Sequence, residues 1–177
     1  VYKCKVAAFE DTKSAQLGSY LPTDLEMGAD EAVTWVIDPE DYKADVLFVF
    51  ENGRVARVAL SGYATKTNRK RLKNAIYGGS KLVYATVLKE ERDLALVSSD
   101  YRLVNFNTSL LKTKTTNSTQ GVQALTIKGS RTVTMVGTAE EFIGGKAQVE
   151  KFRAEKLPSA GAPMKETDMK SLFDLEE

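Results

Sequence analysis

The sequence contains no histidine and a single cysteine, Cys4. Without histidine, Ser-His-Asp and Cys-His catalysis are excluded, and so is the commonest zinc ligand. One cysteine forms neither an internal disulfide nor a cysteine-based metal site. Phosphate loops are missing too: Gly144-Gly145-Lys146 runs into Ala147, and no glycine precedes it at the P-loop spacing. No acidic spacing resembles a calcium loop. The longest apolar run, Val46–Phe50, is far short of the roughly 20 residues that span a bilayer. No leader pattern is present at Val1, so the chain reads as a piece of a longer protein in a reducing cytoplasm. Independent catalysis is not expected, nor is any cofactor.

What is present is a globular composition, 42% hydrophobic and 28% charged over 177 residues, enough for one domain with a real core. The net charge of +1 hides a segregation. Between Val1 and Asp45, ten acids face four bases. From Glu51 to Lys81, eight bases face one acid, and from Leu94 to Met135 five face one. The last part, Ala139–Glu177, is acidic again, with nine acids and six bases. A basic middle between acidic ends points to a surface for a polyanion; a merely solvated charged face is the alternative.

The clearest local pattern is at Leu47–Val87. Val46–Phe50 is a fully apolar strand, Asn52-Gly53 a two-residue hairpin turn, and Val55–Leu60 the return strand. Ser61–Ser80 is a basic connection, Lys81–Leu88 the next strand. About 48 residues later the pattern recurs: Ala95–Ser98 on Leu47–Phe50, Arg102–Val104 on Arg54–Ala56, Arg131–Val136 on the strand at Leu82–Val87. At the turn, Tyr101 replaces Gly53, which implies a different turn geometry. Val1–Ala8 and Ala32–Ile37 read as strands of a partial earlier copy, with Trp35 in its core. A repeat of this length with about four strands per unit means stacked blades, since one unit alone exposes an apolar face. The expected division is a blade array over 1–137 (partial blade 1–45, blades 46–93 and 94–137). A helical segment, Ala147–Lys156, and an acidic tail follow within 138–177.

FENGRVARVALSGY, the downstream TQGVQALTI and the 48-residue repeat resemble the C-terminal domain of type IIA topoisomerase A subunits, the family that includes the A subunits of DNA gyrase and topoisomerase IV. The resemblance covers roughly Tyr2–Val136. It implies an all-β, propeller-like β-pinwheel of two to three divergent blades that binds and bends duplex DNA. Its implied partners are the N-terminal strand-passing core of the same chain and the ATPase B subunit of a bacterial, nucleoid-associated enzyme. The absence of a Gly/Arg-rich box and the low blade number resemble topoisomerase IV more than gyrase. No catalytic tyrosine is carried over, because none of the seven tyrosines has a helix-turn-helix context.

Duplex DNA bound through its backbone requires Lys and Arg rather than base-reading pairs. The candidates are Arg54 and Arg57 on the hairpin, and Lys66, Arg69, Lys70, Arg71 and Lys73 in the first connection. In the next unit they are Arg102, Lys112 and Lys114. Arg54 and Arg57 also suit strand-edge charges that block aggregation, and Arg69–Lys73 a solvated helical turn. A protein-interaction scaffold without DNA binding is the competing function.

Overall fold

The computed structural model describes residues 1–65, 70–143 and 146–168. Two four-stranded antiparallel sheets dominate it. In chain order the strands are β1 (Asp45–Phe50), β2 (Arg54–Ala59), β3 (Leu82–Leu88), β4 (Asp93–Ser98), β5 (Arg102–Asn107), β6 (Val122–Gln123), β7 (Val133–Gly137) and β8 (Ala162–Pro163). The first sheet runs β3-β1-β2-β6 and the second β7-β4-β5-β8.

After Asp45, β1 is apolar throughout because both its faces are covered. Leu47 and Val49 point into a core shared with Leu94, Leu96, Val104 and Phe106 of the second sheet. Val46, Phe48 and Phe50 point to the opposite face, with Ala56, Val58 and Tyr63. A strand buried on both faces loses the polar alternation of a half-exposed one. The equivalent outer face of the second sheet carries Ala95, Val97 and Leu103, and is covered by Ala139, Ile143, Val149, Phe152 and Met164. The stack therefore ends on a cap at each side. Ile37, Tyr42, Leu72, Ile76 and Tyr77 close one end, and the short turns at Ala139–Phe142, Lys146–Val149 and Glu150–Phe152 close the other.

The repeat is structural down to its irregularities. β1 slips register against β3 between Val49 and Phe50, and β4 slips against β7 between Val97 and Ser98, 48 positions on. The turns agree as well, and each spans three residues, 51–53 and 99–101, rather than the two expected at Asn52-Gly53, with positive φ only at the third. Gly53 N–H donates to Phe50 O and Tyr101 N–H to Ser98 O, both at 2.9 Å. Gly53 has φ +80° and Tyr101 φ +56°, so the second turn keeps the left-handed conformation despite losing its glycine, contrary to expectation. What differs is the space. A Cβ on Gly53 would lie 2.1 Å from Leu125 O, whereas the Tyr101 side chain is 56% exposed.

The unit boundaries behave differently from the linear division. β6, from the span assigned to blade 94–137, pairs with β2 in the first sheet. β8, from the span assigned to the tail, pairs with β5 in the second. Both are entered through a glycine at positive φ, Gly121 and Gly161. The physical reason is the open edge: β2 and β5 would otherwise present unpaired N–H and C=O groups.

The two earlier strand candidates do not form ladders. Val6–Ala8 is a single 3-10 turn, Tyr2 makes only an isolated bridge to Arg71, and Ala32–Ile37 has no regular structure. β1 is paired on both sides by β2 and β3, and neither segment adds to the outer edge of β3, which ends the sheet. Trp35 is correspondingly 41% exposed, its ring edge-on to Tyr84 at 5.3 Å.

Candidate nucleic-acid interface

The first connection leaves β2 through the turn Leu60–Tyr63. Tyr63 is buried and its hydroxyl donates to Ala75 O at 2.7 Å; burial raises its pKa. Ala75 is buried too, and Leu72, Ile76 and Tyr77 pack on the same cluster. These apolar anchors turn the intervening polar side chains outward, leaving Lys70, Arg71 and Lys73 exposed. Lys66 and Arg69 lie outside the described residues.

The N-terminal residues are laid along this connection. Lys3 N–H donates to Lys70 O at 2.7 Å, and Leu72 N–H to Val1 O at 2.8 Å. The Arg71 guanidinium is 2.5 Å from Glu31 Oε1 and 5.6 Å from the centre of the Tyr2 ring. The other oxygen, Glu31 Oε2, accepts from the Tyr2 hydroxyl and from Gly28 N–H. Those two donors, Tyr2 first, together with Arg71, hold the Glu31 carboxyl below its ordinary range.

The second connection passes beside β2. Lys114 N–H donates to Arg57 O at 2.8 Å, and Ala59 N–H to Lys114 O at 2.9 Å. The side chains of Lys112 and Lys114 project to solvent. Three residues further on, Asn117 Nδ2 donates to Gly62 O at 3.0 Å, which ties the second connection to the first. Where they meet is an open cleft of about 490 Å³, lined by Gly62, Lys70, Arg71, Lys73, Asn74 and Asn117.

The hairpin arginines have partners inside the fold. Arg57 is 17% exposed, 2.6 Å from Asp45 and 2.7 Å from Glu91, and it also donates to the carbonyls of Thr108 and Leu111 at 3.4 Å. Burial disfavours its charge, but the bonds to both carboxylates outweigh it and its pKa is raised. Arg102 donates to Ala160 O at 2.8 Å and Gly161 O at 2.6 Å, clamping the approach to β8. Arg54 reaches Gly121 O at 3.5 Å, the corresponding place before β6. Strand-edge residues read as candidate contacts thus serve to hold the incoming edge strands. Conversely, sequence reasoning missed Asn117 and Gly62, which carry no charge or motif and acquire a role only by meeting across 55 residues.

Of the candidates the structure describes, Lys70, Lys73, Lys112 and Lys114 have neither an ion pair nor a side-chain hydrogen bond among the described residues, whereas Arg54 and Arg102 are without an ion pair but bond to backbone carbonyls. The four lysines are therefore available to an external anion.

No protein-family model matches this sequence, and no curated protein does. Solved structures do. The chain is similar to the C-terminal domain of a DNA topoisomerase IV, with TM-score 0.66 and 20% identity, covering 80% of this chain and 45% of that one. It is similar to a DNA gyrase A C-terminal domain, with TM-score 0.57 and 14% identity over 85% and 55%. It is also similar to the E. coli ParC C-terminal domain, with TM-score 0.66 and 12% identity over 87% and 69%. The chain spans about half the length of the first two. Its fold is the β-pinwheel of these topoisomerase C-terminal domains.

Proposed function

We propose that this domain binds duplex DNA through its backbone and bends it, as a non-catalytic module of a bacterial type IIA topoisomerase A subunit. In this reading a strand-passing core belongs to the same polypeptide, an ATPase subunit completes the cytoplasmic enzyme, and the parent is closer to topoisomerase IV than to gyrase. The observation that carries the proposal is the meeting of two basic connections at the Gly62–Asn117 contact, with unpaired lysines on both. Lys70 and Lys73 line the cleft on the first connection, and Lys112 and Lys114 are exposed on the second a few residues before Asn117, all able to meet phosphates without reading bases. Lys66 and Arg69 extend the same basic run in the sequence. Since the connection is repeated from one unit to the next, a duplex following both must curve. Bending costs about 1–6 kcal/mol over roughly 20–30 base pairs, which the additional phosphate contacts offset.

The test is a titration of a fluorescent 40-base-pair duplex at several salt concentrations. Affinity is expected to fall steeply with salt, with a slope of about 0.9 per neutralised phosphate. The double variants K70A/K73A and K112A/K114A should each weaken binding to all duplex sequences equally and flatten the slope by up to about 2. A chain that binds no duplex at low salt overturns the proposal and leaves the protein-scaffold reading.

A further inference from the structure

Arg71 differs from the lysines around it: its guanidinium already has an anionic partner, and that partner comes from the acidic segment Val1–Asp45. The contact is built rather than incidental. Backbone bonds lay Val1–Lys3 along Lys70–Leu72. The Tyr2 ring lies against the guanidinium and its hydroxyl fixes Glu31, while Gly28 N–H holds the same carboxylate oxygen at 2.7 Å. A carboxylate held this way offers the guanidinium what a phosphate would, one negative charge shared over adjacent oxygens. The accessibility of the pair matters. The Arg57–Asp45 pair is 17% and 15% exposed and closed to a ligand, but the Arg71–Glu31 pair is 49% and 28% exposed, and Arg71 lines the cleft between the two connections.

We infer that Glu31 is an intramolecular competitor for phosphate at Arg71, so that the acidic N-terminal segment acts as a strap that DNA must displace to complete its contact with the cleft. This rests on the DNA-binding reading above. The strap tunes affinity and does not abolish it. An ion pair this exposed is weak, the neighbouring lysines are already free, and net repulsion from a segment with ten acids and four bases acts in the same direction. Displacing Glu31 also changes the ion accounting. A phosphate that replaces a protein carboxylate at Arg71 releases its own counterion, but the freed carboxylate takes one up again.

The experiment uses the 177-residue chain and the 40-base-pair duplex across a salt series, comparing wild type, E31Q, R71A and E31Q/R71A. E31Q keeps the shape of the side chain and one acceptor oxygen, enough for the Tyr2 hydroxyl and Gly28 N–H, and removes the charge and the oxygen that face Arg71. It is expected to bind about two- to fivefold more tightly, with a salt slope steeper by about 0.9. In the R71A background the same substitution should lose most of its effect, because the coupled partner is gone. Thermal unfolding of each variant confirms that the fold is kept; if E31Q does not fold, Y2F, which loses the hydroxyl that fixes Glu31, should show a smaller gain in the same direction. Wild-type binding with no gain in folded E31Q, or in Y2F where E31Q does not fold, overturns the strap and leaves the DNA-binding reading standing. An E31Q gain that persists in R71A overturns Arg71 as the site of competition. If neither wild type nor E31Q binds, both readings fall together.

Discussion

Asn117 Nδ2 lies 3.0 Å from Gly62 O, so a side chain of the second connection is anchored on the backbone of the first. Gly62 permits this by lacking a Cβ, which would sit 2.3 Å from Asn117 Oδ1. Replacing Asn117 by Ala removes one exposed hydrogen bond and should cost stability no more than about 0.5–1.5 kcal/mol. Duplex affinity should change little, but the bend measured by energy transfer between duplex ends should decrease, because the two lysine pairs are no longer held together. An unchanged bend in N117A would separate this contact from DNA geometry.

Arg57 joins β2 to Asp45 at the start of β1 and to Glu91 in the turn before β4. R57A leaves a largely buried Asp45 carboxylate without its partner, and the expected destabilisation is about 2–4 kcal/mol. Urea unfolding checks the loss. Under conditions where R57A remains folded, duplex affinity should stay within about twofold of wild type, the opposite of K70A/K73A, because neutralising a residue that makes no phosphate contact leaves the salt slope unmoved.

Gly53 and Tyr101 occupy equivalent turns but should respond differently to mutation. G53A meets both a positive φ and the Leu125 carbonyl, and should lose about 2 kcal/mol or more. Y101G relieves left-handed strain of about 1–2 kcal/mol while gaining flexibility in the unfolded chain, so its net change should be within about 1 kcal/mol. Paired denaturation curves decide, and similar losses in both variants would contradict the packing difference.

The Glu91 carboxyl is held below its ordinary value of 4.5 first by the Thr108 hydroxyl and then by Arg57. A group whose folded pKa is depressed contributes stability above its unfolded pKa, and that contribution disappears as pH falls through the folded one. E91Q should therefore be less stable than wild type at pH 7, and the difference should shrink on acidification from about pH 5 to about pH 3. A constant gap across that window would show that the charge is not the stabilising feature. Glu91 is 43% exposed, so added salt should narrow the gap too.

Several features were legible before any coordinates. β1 and β4 announce themselves as apolar runs, Asn52-Gly53 as a turn, and their recurrence 48 residues on as a stack of like units. The exposed positions of Lys70, Lys73, Lys112 and Lys114 also agree with the basic runs that marked them. Three readings failed for a common reason. Ala32–Ile37 has strand composition yet joins neither sheet, and its Trp35 meets the ring of Tyr84 instead. Tyr101 lacks a glycine's freedom yet adopts its conformation, and Arg57 looks like a surface charge while filling a junction between sheets. In each case the deciding quantity is what lies opposite in space.

Composition and periodicity by themselves determined that this is a β-rich chain of repeated units without histidine chemistry, carrying its positive charge in the middle. They could do so because burial on two faces and tight hairpin turns impose local residue preferences. Tertiary structure alone decided that β6 and β8 cross to the sheets of β2 and β5, that Arg54 and Arg102 hold those strands in place, and that Glu31 rests on Arg71. A two-residue strand has no periodicity to detect, and an ion pair across 40 residues is set by the path of the backbone between them.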